Sequence, residues 1–140
     1  MPVGPYTPVV RAGDLVVCSG QVGLATGPDG RPALVDGGLE AQTRQAMANV
    51  ASVLGEAGLG WPEVFKTTVY LTDISAYSAF NAIYVDVLRD HRPARTLVAV
   101  AGLPVGALVE IEAWALASRG PDRRGLSRTG PPDPGGIRPT

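Results

Sequence analysis

A chain of 140 residues, 45% hydrophobic and 18% charged, has the size and balance of one ordinary globular domain with one core. Its single cysteine and single histidine exclude an intramolecular disulfide and a Cys/His zinc cluster within one chain, leaving metal only to carboxylates or to a site shared between subunits. Residues 119–140 hold five Arg and two Asp, so the net charge of −1 divides into +3 there and −4 over the other 118 residues, an acidic body that repels polyanions and argues against nucleic acid as a partner.

No apolar run reaches the roughly 18 residues of a membrane span, and MPVGPYTPVV lacks the basic start and apolar stretch of a secretory signal. The expectation is a cytoplasmic protein without a membrane partner. Leu15-Val16-Val17-Cys18, flanked by Gly13-Asp14 and Ser19-Gly20, suits a buried strand, with Tyr6 to Val10 pairing across a turn at Arg11–Asp14. Thr26-Gly27-Pro28-Asp29-Gly30 is dense in turn residues and reads as a surface loop.

From Leu39 to Ala57 the residues Leu39, Ala46, Met47, Val50, Val53, Leu54 and Ala57 recur at helical spacing, with a cap near Asp36 and a stop at Gly58. Phe65 to Leu71 is β-branched and aromatic, a strand. A second helix carries Ile74, Tyr77, Phe80, Tyr84, Val87 and Leu88, opened by Asp73 or Ser75 and closed before Pro93. Thr96–Val100 and Leu108–Ala115 complete an order β-β-α-β-α-β-β. Two helices cover only one face of such a sheet, so the class is α+β, with self-association the simplest cover for the other face.

The last 22 residues contain five Pro and five Gly, with Leu126 and Ile137 as the only large apolar side chains. They bury too little apolar surface to offset the entropy of ordering. The domain is expected to span 1–118 and a disordered or loosely draped tail 119–140.

The sequence contains no P-loop, GxGxxG, GxSxG or HExxH. Chemistry then falls to Arg, Glu, Ser, Tyr, Asn and backbone groups, with no metal and no cofactor-attaching lysine motif. Arg95, at the start of a strand behind Pro93-Ala94, reads either as a planar fork for a carboxylate or as one half of a surface ion pair with Asp90 or Glu63. In Val109-Glu110-Ile111-Glu112-Ala113, period two places both glutamates on one strand face, either as a functional pair or as a solvated face. His91 reads as a helix C-terminal residue rather than a general base, and Cys18 as a packed core thiol. Ser19 has no recognisable histidine base beside it, so a serine hydrolase lacks support.

Gly4-Pro5-Tyr6, Ser19-Gly20-Gln21, Asn49-Val50, Val64 to Leu71, Asn81-Ala82-Ile83-Tyr84, Pro93-Ala94-Arg95 and Val109 to Ala113 together resemble the Rid (YjgF) family in order and spacing over about residues 4 to 117. The resemblance implies a chorismate-mutase-like α+β subunit, a homotrimer with sheets packed inward, and ligand clefts between neighbouring subunits. It implies hydrolysis of enamines and imines such as 2-aminoacrylate to 2-keto acids and ammonia, without metal or cofactor. Arg95 then corresponds to the carboxylate-binding arginine and Glu110 to the glutamate at the attacking water, with Tyr6, Ser19 and Asn81 lining the cleft.

The chain departs from the family pattern at Thr96, usually a smaller residue, at Leu97, a cysteine in the archetypal deaminases, and at Gly102, often a larger basic residue. These departures admit a divergent enzyme of a specialised biosynthetic pathway. A trimeric binder of small carboxylates without turnover is the alternative of a different class. The endoribonuclease activity attached to some relatives fits the acidic body poorly.

Overall fold

The computed structural model describes residues 4–117; the expected tail at 119–140 lies outside them. Strands β1 (Val9–Ala12), β2 (Leu15–Val22), β3 (Leu24–Thr26) and β4 (Pro32–Leu34) precede helix α1 (Gly38–Glu56). Then come β5 (Val64–Leu71), α2 (Tyr77–Leu88), β6 (Ala94–Ala99) and β7 (Val109–Leu116). Five strands form one sheet in the order β1-β2-β7-β5-β6, parallel only between β5 and β6. The result is the expected mixed α+β sheet, with one addition: β3 and β4 form a separate hairpin around the Thr26–Gly30 turn.

Both helices lie on one face. Alternation along the strands sends Val16 and Cys18 of β2, Val69 and Leu71 of β5 and Ile111 of β7 inward, where they meet Met47, Val50 and Leu54 of α1 and Phe80, Tyr84 and Leu88 of α2. Burying a side chain such as Met47 or Leu54 contributes about 1.5–3 kcal/mol. Cys18 is fully buried, and burial, with the charges of Glu112 and Glu56, pushes its thiol up to about 12, as expected of a packed core thiol. The buried Tyr84 hydroxyl is satisfied by Thr67 Oγ1 at 2.8 Å.

The opposite face of the sheet is uncovered and exposes Val10, Val98 and Trp114, the face for which self-association was expected. No described helix is long and apolar enough to cross a membrane.

Local signals explain most helix ends. Gly58, at φ +73, supplies the left-handed residue after α1, with its N–H on the Gly55 carbonyl and that of Leu59 on Leu54, a Schellman closure. At the other end the cap is Gly37, at φ 112, without a side-chain cap hydrogen bond, and Asp36 does not take the role expected of it. Asp73 does cap the short turn Ile74–Ala76 ahead of α2, accepting from the Ser75 N–H. His91 follows α2, but its Nε2 meets the Val64 carbonyl of β5 at 2.8 Å instead of a helix carbonyl.

Candidate functional site

The site begins with an irregularity in β2. Cys18 pairs with Ala113 but Gln21 pairs with Ile111, so Ser19 and Gly20 together oppose the single residue Glu112. This is a β-bulge, which bends the strand and redirects side chains beside it. The Ser19 hydroxyl donates to the Thr7 carbonyl at 2.7 Å and its N–H to Pro8 at 2.8 Å, tying the Tyr6 segment against the bulge. Gly20 leaves the space that Glu110 fills: a methyl group there would overlap the end of the Glu110 side chain and displace its carboxylate.

Glu110 stands on the uncovered side of β7 and lines a cavity of about 360 Å³ with Tyr6, Ser19, Gly20, Asn49 and Pro104. Burial raises the pKa of its carboxyl above the ordinary value, and the charge of Glu112, two residues along on the same face, raises it further. Glu112 accepts a hydrogen bond from the Tyr70 hydroxyl of β5 at 3.2 Å. The two glutamates are therefore differentiated: Glu112 has a strand partner, and Glu110 opens into the cavity. A carboxyl held there with a raised pKa can exchange a proton with a molecule beside it.

Asn49 of α1 builds the far wall. Its Nδ2 donates to the carbonyls of Val22 and Leu24, both at 2.9 Å, and its Oδ1 accepts from Gln45 Nε2 at 2.9 Å. Those bonds straddle Gly23, whose lack of a side chain lets the bend between β2 and β3 lie on the Gln42 backbone. Leu24 is thereby fixed as cavity wall.

Arg95 lies elsewhere. It shares the helix-facing side of β6 with Leu97, and its guanidinium packs over the rings of Tyr84 at 4.9 Å, Tyr77 at 5.7 Å and Phe80 at 5.8 Å. Its Nη2 donates to the Tyr77 hydroxyl at 3.4 Å. Such stacking holds the cation's plane while leaving its edge available to an anion. Neither Asp90 nor Glu63 is among its described ion-pair partners. Asn81 sits on α2 one turn from both Tyr77 and Tyr84, and its buried Oδ1 has no hydrogen-bond partner among the described residues.

The five residues expected from the sequence thus separate into two groups. Tyr6, Ser19 and Glu110 meet at one cavity; Arg95 and Asn81 stand on the opposite side of the sheet. Within one chain the arginine and the glutamate do not meet. Gly20 and Asn49 belong to the first group but carry no site role in the sequence reading, since neither a bulge nor a helix-to-carbonyl bond leaves a periodic signal. Of the departures, Leu97 adjoins Arg95, Thr96 faces the uncovered side opposite Thr68, and Gly102 has open space around it. Among the described residues no three of His, Cys, Asp or Glu gather as a metal site.

The family model for endoribonuclease L-PSP matches residues 1–117. A RutC family protein of Synechocystis is 40% identical over 116 residues, 82% of this chain and 88% of the relative. The human 2-iminobutanoate/2-iminopropanoate deaminase is 37% identical over 114 residues, 81% of each. The crystal structure of RidA from an Antarctic Psychrobacter superposes with a TM-score of 0.75 at 36% identity, covering 83% of this chain and 91% of that one.

Proposed function

The chain belongs to the endoribonuclease L-PSP (YjgF/Rid) family, and from that premise we propose that it is a cofactor-independent deaminase hydrolysing 2-imino acids and their enamine tautomers to 2-keto acids and ammonia. The observation that carries this reading is the Glu110 carboxyl, seated over Gly20 in a small cavity, with its pKa raised by burial. The name of the human relative supplies the substrate class.

The chemistry asks little of the protein. An enamine becomes the imine by gaining a proton at carbon and losing one from nitrogen, and protonation of the imine nitrogen makes its carbon electrophilic. Water adds to that carbon as Glu110 accepts its proton, giving a carbinolamine. The proton passes on to the amino nitrogen, the C–N bond breaks as Glu110 takes the hydroxyl proton, ammonia leaves and the keto acid remains. Arg95, set among the rings of Tyr84, Tyr77 and Phe80, holds the substrate carboxylate through guanidinium N–H groups turned away from them. Such imines already hydrolyse in water, so positioning is the main contribution.

Because Arg95 and Glu110 occupy opposite sides of one sheet, both can face a single substrate only across a boundary between chains. That supports a homotrimer with clefts between subunits, formed where the uncovered sheet faces pack. The test is keto-acid release in the presence of an amino-acid oxidase that generates the imine, with sedimentation to give the mass of the assembly. Acceleration by the wild type that Arg95→Ala removes is the expected result; a wild type no faster than buffer sinks the proposal.

A further inference from the structure

A groove of about 800 Å³ between α1 and the β3–β4 hairpin adjoins the cavity at Glu110, and the two share Tyr6, Gln21, Leu24 and Asn49 as walls. One wall is a polar stripe of α1, Gln45, Asn49, Ser52 and Glu56, at spacings of four, three and four that place them on one helical face. Glu56 lies two turns beyond Asn49, about 10 Å along the axis, and its side chain leans back toward the helix N-terminus.

Hydrogen-bond bookkeeping decides what this wall offers. Asn49 Nδ2 faces two carbonyls, which only accept, so the amide orientation is forced and its Oδ1 must receive Gln45 Nε2. Gln21 Nε2 likewise donates to the Ser19 carbonyl at 3.1 Å. Both glutamines therefore commit one amide N–H within the protein and keep a second N–H and their Oε1, and no hydrogen bond or ion pair among the described residues engages the Glu56 carboxylate. The groove's glutamine amides and the Ser52 hydroxyl can donate or accept, and its one charged lining residue, Glu56, is negative, inside a body whose first 118 residues carry a net −4. A hydrogen-bond donor, preferably a cation, is its complement.

Resting on the deamination reading, we infer that this groove is the side-chain subsite of the cleft, and that its substrates are 2-imino acids with a long side chain ending in a guanidinium or ammonium group. The imine carbon sits at Glu110 and the side chain runs past Tyr6 along α1, its donors meeting Gln21, Gln45 and finally Glu56.

The test compares imines that an L-amino-acid oxidase makes from arginine, from citrulline, which has the same length without the charge, and from leucine. The arginine-derived imine is expected to show the lowest KM, and Glu56→Gln to raise that KM by about threefold while leaving the other two unchanged. Equal KM values for arginine and citrulline imines, insensitive to Glu56→Gln, overturn the subsite while deamination stands. If no imine is hydrolysed faster than in buffer, deamination falls instead. Calorimetry with the 2-keto acids of arginine and leucine then decides the groove alone: equal affinities, or an arginine-derived affinity unchanged by Glu56→Gln, overturn it.

Discussion

The carboxylate of Glu110 occupies the space that a side chain at position 20 would fill, so the bulge in β2 and the acid on β7 are one device. Gly20→Ala leaves a backbone that any residue can adopt and pushes only the flexible end of Glu110 aside. The expected outcome is a folded protein, with unchanged circular dichroism and a nearly unchanged melting temperature, whose kcat for imine hydrolysis falls by about a hundredfold, the scale of a 1 Å misplacement. Retained kcat would show that the carboxylate position is not critical.

Burial and Glu112 raise the Glu110 pKa in the folded chain above its ordinary value of 4.5. The folded state then binds more protons than the unfolded one above that value, so stability falls as pH rises through the window between the unfolded and the folded pKa. Glu110→Gln removes this liability. It is expected to melt higher than the wild type at pH 7, with the gap closing as pH is lowered through 4.5, and to be inactive throughout. Melting curves across pH 3.5–8, a range set by the ordinary carboxylate value, check the sign.

The rings under Arg95 predict a binding defect rather than a chemical one. Tyr77→Leu removes one ring and the hydroxyl that accepts from Nη2. Loss of an exposed cation–π contact of about 0.5–1 kcal/mol should raise KM for the imine two- to fivefold with kcat nearly constant. Steady-state kinetics separate the two parameters.

Asn49 holds the β2–β3 bend through two carbonyls at once. Asn49→Leu leaves both without their donor, and the expected cost is about 2 kcal/mol, read as a lower urea midpoint with an unchanged m-value.

Much of this architecture was legible because its signals are local. The alternation of Val109 to Ala113 announced β7 and put Glu110 with Glu112, and the spacing of Ala46, Met47, Val50 and Leu54 announced the buried face of α1. Leu24–Thr26 and Pro32–Leu34 are too short to show a period, so their hairpin went unread. Ile74, counted in the stripe of the second helix, is exposed because it lies in a tighter turn at Ile74–Ala76 ahead of α2, whereas Tyr77 keeps the phase of Phe80 and Tyr84 and is exposed only as the first residue of the helix. The relation of Arg95 to Glu110 was the least legible. It depends on which side of the sheet β6 shows when β7 shows its acids, and no spacing within either segment carries that phase.

The opposite-sided placement of Arg95 and Glu110 has a genetic consequence. Where each working cleft draws its arginine and its glutamate from different chains, two defective alleles can rescue one another. Arg95→Ala and Glu110→Gln, each inactive alone, should regain about a quarter of wild-type activity when co-expressed and randomly assembled, in clefts that inherit one intact residue from each parent. The same arithmetic leaves half of the clefts working when either allele is mixed with a normal copy, so each altered chain silences one cleft and the damage stays proportional to its dose.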